Sequence, residues 1–196
     1  VELASIKELM RLYSHAITGI NIDIAPTQNL INKGIGWVSA EKPSTDGTTV
    51  FLPTISNSYP NKESNFAWYK VIATHQTAHL EFGSFLFEYG KPGNIFTTSR
   101  PGKKGKVRAE SSPASAYLTD MQRFFALFTD RQLSLDIFII LEDSRLDHLV
   151  VNEYLGIRKN YLDVQKTALS GRNQIVNLKA REALMEFLLR IGLDKK

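Results

Sequence analysis

The chain has 196 residues, 43% of them hydrophobic and 22% charged, with a formal net charge of +4, a composition that suits one soluble globular domain with a sizeable core. It contains no cysteine, which excludes disulfide scaffolds, zinc ribbons and thiol catalysis. The longest apolar run, Leu135 to Leu141, is interrupted by Asp136 and stops at Glu142, too short to span a membrane, and no basic flank followed by an apolar stretch marks a signal peptide at the start.

Taken in chain order, Glu2 to Thr18 places Leu3, Ile6, Leu9, Met10, Tyr13 and Ile17 at helical spacing and stops before Gly19, which predicts an amphipathic helix. Residues 20–60 change character, with short β-prone pieces between Gly, Pro, Ser and Asn. Within them Gly36–Ser39 and Thr48–Leu52 read as strands joined through the turn-rich Pro43–Gly47, a small hairpin. A long helix follows from Asn61 or Ser64 to about Gly83. Residues 90–113 read as a flexible basic loop carrying Lys103, Lys104, Lys106 and Arg108. That cluster has no aromatic neighbour for base stacking, so it is read as a solvated or partner-binding surface rather than a nucleic-acid site. Four helices complete the chain: Ala114–Phe128, Ser134–Tyr154, Arg158–Leu169 and Asn173–Ile191, with Gly156 and Gly171 at the breaks. The expected fold is therefore mainly α, a single helical module over residues 1–196, with a β and loop insertion at 20–60. Because the chain begins at Val1 rather than Met, it is expected to be a fragment of a larger cytoplasmic protein.

Chemistry concentrates on two of these helices. His75 and His79 stand one helical turn apart, about 40° from each other around the axis, so both imidazoles leave the same face. Trp68, Val71, Ile72, Ala78 and Phe82 share that face, which puts the pair on an apolar stripe where polar groups need partners. On the Ser134 helix, Glu142 sits among Leu135, Phe138, Ile139, Leu146 and Leu149. A carboxylate there is costly unless it is paired or binds a metal. With Ile137, Ile140 and Val151 on its other side, this helix is expected to be buried nearly all round. The economical expectation is that the two helices meet and that His75, His79 and Glu142 converge on Zn²⁺ or Fe²⁺. Asp143 or Asp147 would orient a histidine, with Gln76 and Arg145 also adjoining the site. A buried histidine–carboxylate network without any metal remains the alternative. In a zincin the residue after the first histidine is the glutamate that takes a proton from the attacking water. Here it is Gln76, which has no basic carboxylate, so a zincin-like helix pair would be an inactive peptidase as written.

Several stretches together resemble a known family: Thr45-Asp46-Gly47-Thr48-Thr49-Val50-Phe51-Leu52-Pro53, Asn65 to Val71, Ala73-Thr74-His75-Gln76, Glu81-Phe82-Gly83-Ser84-Phe85, Leu141 to Asp147, and Tyr154-Leu155-Gly156-Ile157-Arg158. Their order is similar to the region preceding the von Willebrand factor A domain of NorD-like and CbbO-like accessory proteins. The resemblance implies a chaperone-like adaptor that works with a MoxR-type AAA+ ATPase to activate a client enzyme, and it implies that Gln76 is natural. No Asp-x-Ser-x-Ser motif and no Walker motif occurs in the chain. The von Willebrand domain is thus not part of this segment, and the ATPase is another chain.

Overall fold

The computed structural model describes residues 1–29, 43–91, 119–172 and 175–194. The chain is mainly α with one small sheet, as the periodicity predicts. Among the described residues the elements are helix α1 (Leu3–Thr18), strands β1 (Asp23–Pro26), β2 (Ser44–Thr45) and β3 (Thr49–Leu52), and helices α2 (Lys62–Glu81), α3 (Asp120–Phe125), α4 (Arg131–Glu153), α5 (Arg158–Ser170) and α6 (Ala180–Leu193). The strand expected at Gly36–Ser39 and the basic residues Lys103, Lys104, Lys106 and Arg108 lie outside the described residues. No described helix is long and apolar enough to cross a membrane.

Helix α1 ends where the chain turns at Gly19, whose φ of 72° suits a residue without a side chain. That reversal sends β1 back beside β3, and the two pair in parallel, with Ile24 opposite Val50 and Pro26 opposite Leu52. On the other edge β2 pairs antiparallel with β3, Thr45 opposite Val50. The partner of β3 therefore comes from the stretch read as turn, and a second comes from β1. The tight reversal between β2 and β3 is held by Asp46, whose Oδ1 accepts from the backbone N–H of Thr48 and of Thr49. This side-chain-for-backbone substitution lets the turn close in so few residues. Val50 and Leu52 join Leu3, Met10, Ile22, Ile24, Tyr69 and Ala73 in one core, while Phe51 packs on the opposite face with Ala25.

Helix α2 is the spine. Asn61 caps it by accepting the Ser64 N–H at 2.7 Å, and the buried Asn65 ties its first turn to Ser56 and Tyr59. One side of α2 faces α1 and β3, and the other packs on α4 and α5. The second contact forms a separate core of Val71, Ala78, Leu146, Val150, Val151, Ile157 and Tyr161. Helix α4 starts at Arg131, earlier than the sequence suggests, because the Asp130 side chain accepts the Leu133 N–H at 2.8 Å. It is not buried all round: Ile139 is 46% and Leu141 54% exposed. The helix expected from Asn173 splits into a 3₁₀ turn at Ile175–Asn177 and α6, whose start is closed by Glu182 accepting the Lys179 N–H. Helix α6 lies on α4 at a close approach, since a Cβ on Gly192 would meet the Ser144 side chain at 3.2 Å.

Arg172 and Arg190 both bind Glu186, at 2.6 and 2.8 Å, which joins the end of α5 to α6. The hydrogen bonds from Arg172 lower the Glu186 carboxyl to about 2. A carboxyl lowered in the folded state stabilises the fold above its unfolded value, and that contribution disappears as pH falls through the folded one. Glu186→Gln should therefore remove the part of the acid destabilisation between about pH 4.5 and 2 that this cluster causes. Urea midpoints across that range test it, and parallel pH profiles for the two proteins would count against the assignment.

Candidate metal centre

The α2–α4 contact brings His75, His79 and Asp143 together, with one potential ligand atom from each lying within 4.8 Å of the others. These three can hold a metal ion. The Nε2 atoms of His75 and His79 stand 3.6 and 3.7 Å from Asp143 Oδ1, beyond good hydrogen-bond length. They suit an ion between them: zinc bonds of about 2.0–2.2 Å in tetrahedral array set ligand atoms roughly 3.3–3.6 Å apart, close to these two separations. The rings meet edge to face, with centroids 5.4 Å apart and planes at 88°. Asp143 is the most open of the three, 42% exposed against 18% for each histidine side chain.

Behind the trio, each Nδ1 is held by its own support. His75 Nδ1 lies 2.9 Å from Asp147 Oδ1 and 2.8 Å from the Tyr161 hydroxyl. The tyrosine spends its proton on Asp147 Oδ1 at 2.6 Å, and Gln165 Nε2 donates to Asp147 Oδ2 at 2.7 Å. With those acceptors facing it, His75 carries a proton on Nδ1. His79 Nδ1 donates to Ser84 Oγ at 3.0 Å, and that hydroxyl donates to Glu142 Oε1 at 2.5 Å. Arg145 closes the second support with bonds of 2.7 and 2.6 Å to Glu142 and a further one to the Phe82 carbonyl. Both supports leave Nε2 directed to Asp143. Fixing one ring nitrogen so that the other can bind a metal is the usual arrangement around metal-ligating histidines.

The structure thus exchanges the roles read from the sequence for two neighbours. Glu142 is not one of the convergent groups, because both its oxygens are taken by Arg145 and Ser84. Asp143 supplies the carboxylate instead. The reason lies in what α4 packs on. The stripe that pointed to Glu142 is divided between surroundings: Phe138 meets Phe125 of α3 edge to face, Ile139 is exposed, and Leu146 enters the core shared with α2 and α5. Toward α2 and α5 the helix buries Leu146, Asp147 and Val150. Asp147 is hydrogen-bonded to His75 Nδ1, and Arg145 reaches the site through Glu142.

Three residues that the sequence reading passed over complete the supports: Ser84, Tyr161 and Gln165. Ser84 is positioned because Gly83, at φ 74°, turns the chain back, and the Ser84 N–H then bonds the His79 carbonyl at 2.8 Å. The Gly-Ser pair just past a helix end is a weak signal for that turn. Nothing local marks Tyr161 or Gln165.

Electrostatics separates the two imidazoles. Burial disfavours the charged form of His75, but the carboxylates of Asp143 and Asp147 outweigh it and raise the ring to about 10. Burial first and the charge of His75 second lower His79 to about 4. Burial opposes ionisation of Asp147, and its bonds from His75, Tyr161 and Gln165 overcome this, so the carboxyl is lowered. The hydrogen bond from Arg145 is the main cause of the lowered Glu142 carboxyl.

Beside the trio is a cleft of about 320 Å³, to which His75, Gln76, Asp143 and Gln165 contribute polar atoms and Val71, Ile140, Val164 and Leu193 contribute apolar walls. Its size is at the lower end of small-ligand pockets, roughly 300–1,000 Å³. No family model, no curated protein and no solved structure matches this chain. Fold and site therefore define its class: a mainly helical domain with a small three-stranded sheet. Its distinguishing feature is a histidine–histidine–aspartate group able to hold a metal ion.

In the metal-free protein the opposed shifts have opposite signs. The raised His75 contributes stability in full below the unfolded value of 6.5, lost as pH climbs toward about 10. The lowered His79 contributes in full above 6.5, lost as pH falls toward about 4. The stability due to the pair should peak near pH 6.5. Urea unfolding in excess chelator should show this peak in the difference between wild type and a His75→Gln/His79→Gln variant. A flat difference would refute it. For metal, Asp143→Asn should abolish stoichiometric zinc, while Glu142→Gln or Ser84→Ala should weaken binding roughly 10- to 100-fold. Equal losses from Asp143→Asn and Glu142→Gln in zinc titrations would restore Glu142 as a ligand.

Proposed function

We propose that the chain is a non-hydrolytic metal-binding adaptor module, one that works with a MoxR-type AAA+ ATPase on a client enzyme. The observation that carries it is the site's composition. Two supported imidazoles and Asp143 converge, yet Gln76, which borders the same cleft, has no carboxylate with which to take a proton from water. Zn²⁺ or Fe²⁺ suits two nitrogens and one oxygen, and three protein ligands leave positions for water or a client group. The resemblance to NorD-like and CbbO-like proteins supports the adaptor role, because the stretches that carry it are those that build the site. Leu141–Asp147 contains Asp143 and Asp147, and Glu81–Phe85 contains Ser84.

The adaptor reading expects about one zinc or iron per chain in protein purified without added metal or metal-affinity resin, and none in His79→Ala. Elemental analysis that finds no stoichiometric metal in the wild type removes the metal half. Pull-down of a MoxR-type ATPase by the full-length protein should fail when this module is deleted, and unchanged capture removes the adaptor half.

A second reading is a zincin-like peptidase disabled at Gln76. The observation in its favour is the helix pair itself, with two histidines a turn apart on α2 and a carboxylate from α4. Gln76→Glu separates the two. The adaptor reading expects the zinc form of that variant to leave unfolded casein intact. Zinc-dependent cleavage, absent from the wild type, would establish the peptidase scaffold instead.

A further inference from the structure

Helix α6 is rich in apolar side chains, yet of its 14 residues only Gly192 is buried. Three of its sides are accounted for. Arg181 reaches Asp130 and Asp136, and Gly192 lies against Ser144, which marks the side on α4. Glu186 bonds Arg172, just beyond the end of α5. Leu189 and Leu193 line the cleft. The fourth side carries Ala180, Leu184, Phe187 and Ile191, centred about 100° round the axis from the α4 contact and nearly opposite the cleft. Leu184, Phe187 and Ile191 are 43%, 54% and 57% exposed.

Helices α4 and α6 run parallel, with Arg181 level with Asp136 and Gly192 level with Ser144. The side of the pair that carries the stripe therefore also carries Ile137 and Leu141 of α4. These line a groove with Phe128, and Leu141 and Phe128 are again well exposed. Side chains of this size leave on the order of 100 Å² uncovered each, so the face offers roughly 500 Å² of apolar surface. That is about the apolar core of a standard interface, which buries about 800 Å² per partner and is about 65% apolar at its centre.

Spacing decides what covers it. The intervals from Ala180 to Leu184, Phe187 and Ile191 are four, three and four residues, those of a helix–helix seam, and they read the same from either end. A second α6 laid antiparallel therefore meets the first in register. Leu184 falls opposite Phe187, and Ala180 opposite Ile191, so a small side chain faces a large one at each end. None of the four is charged, so like faces meet without repulsion. We propose that two copies of this chain associate through α6, as a two-fold dimer whose axis passes between Leu184 and Phe187. The surface lies away from the cleft, and the proposal does not depend on the metal reading.

Sedimentation velocity of the whole chain, from about 1 to 100 μM, should show passage from one chain mass to two. Phe187→Glu sets a charge against the copy's Leu184 and should weaken association at least about tenfold. It should keep the wild-type far-ultraviolet circular dichroism, which separates loss of association from loss of fold. Cross-linking reads the arrangement, because the chain has no cysteine of its own. A mixture of Ala180→Cys and Ile191→Cys chains should form a disulfide-linked dimer on oxidation. Ala180→Cys alone should not, because the two copies of that position lie about 16 Å apart along the antiparallel pair. A chain that stays monomeric at the highest concentration would overturn the proposal and give the stripe to a different protein or to another segment of this one. A dimer insensitive to Phe187→Glu would overturn the choice of surface. Equal cross-linking by Ala180→Cys alone would overturn the antiparallel register.

Discussion

The buried carboxylate of Asp147 is the interaction on which the helical half of this protein depends. It lies on α4 and receives a ring nitrogen from α2 and both a hydroxyl and an amide from α5. A charge this far from water is tolerated only if every lone pair is answered, and here each oxygen has a strong donor. The apolar residues around it, Val71, Leu146, Val150 and Tyr161 among them, hold three helices together without specifying how they are rotated. The carboxylate network specifies rotation, because a turn of α4 by one residue would place the charge against hydrocarbon. Once Asp147 is seated, Asp143 one turn earlier is carried to the two Nε2 atoms.

The same network makes the site dual in character. Without metal, His75 holds a proton between Asp143 and Asp147 and suppresses charging of His79. With a divalent ion both rings must be neutral, so the ion replaces that proton as the positive charge facing Asp143. The two supports behind the rings are unlike. The one behind His75 is buried and belongs to the core, whereas the one behind His79 runs through Ser84 and Glu142 to Arg145, which is 43% exposed. Changes to the His75 support therefore act on the fold as well as on the site. Changes to the His79 support act mainly on the site.

The architecture divides the labour between its two cores. The sheet and α1 clamp one side of α2 through Val50, Leu52 and Tyr69, which leaves the other side of the same helix free to present His75 and His79 to α4. A helix buried on opposite sides carries little amphipathic contrast, and the histidines lie on the side toward the ionic helix. Helix α6, brought close by Gly192, walls the cleft with Leu189 and Leu193.

What the sequence determined by itself was the helical class, the long helix with His75 and His79 on one face, the ionic character of the Leu141–His148 stretch, and the lack of a carboxylate at Gln76. All of these follow from the 3.6-residue period and the chemistry of single side chains, which operate within one element. Only the tertiary structure decided that Asp143 rather than Glu142 meets the histidines, because adjacent helical positions differ by about 100° and the packing partner selects between them. It also decided that β3 pairs with β1, since strand partners far apart in the chain leave no local mark. Tyr161 and Gln165 became part of the site for the same reason. They reach Asp147 from another helix, and spacing within a segment cannot report a contact made across the fold.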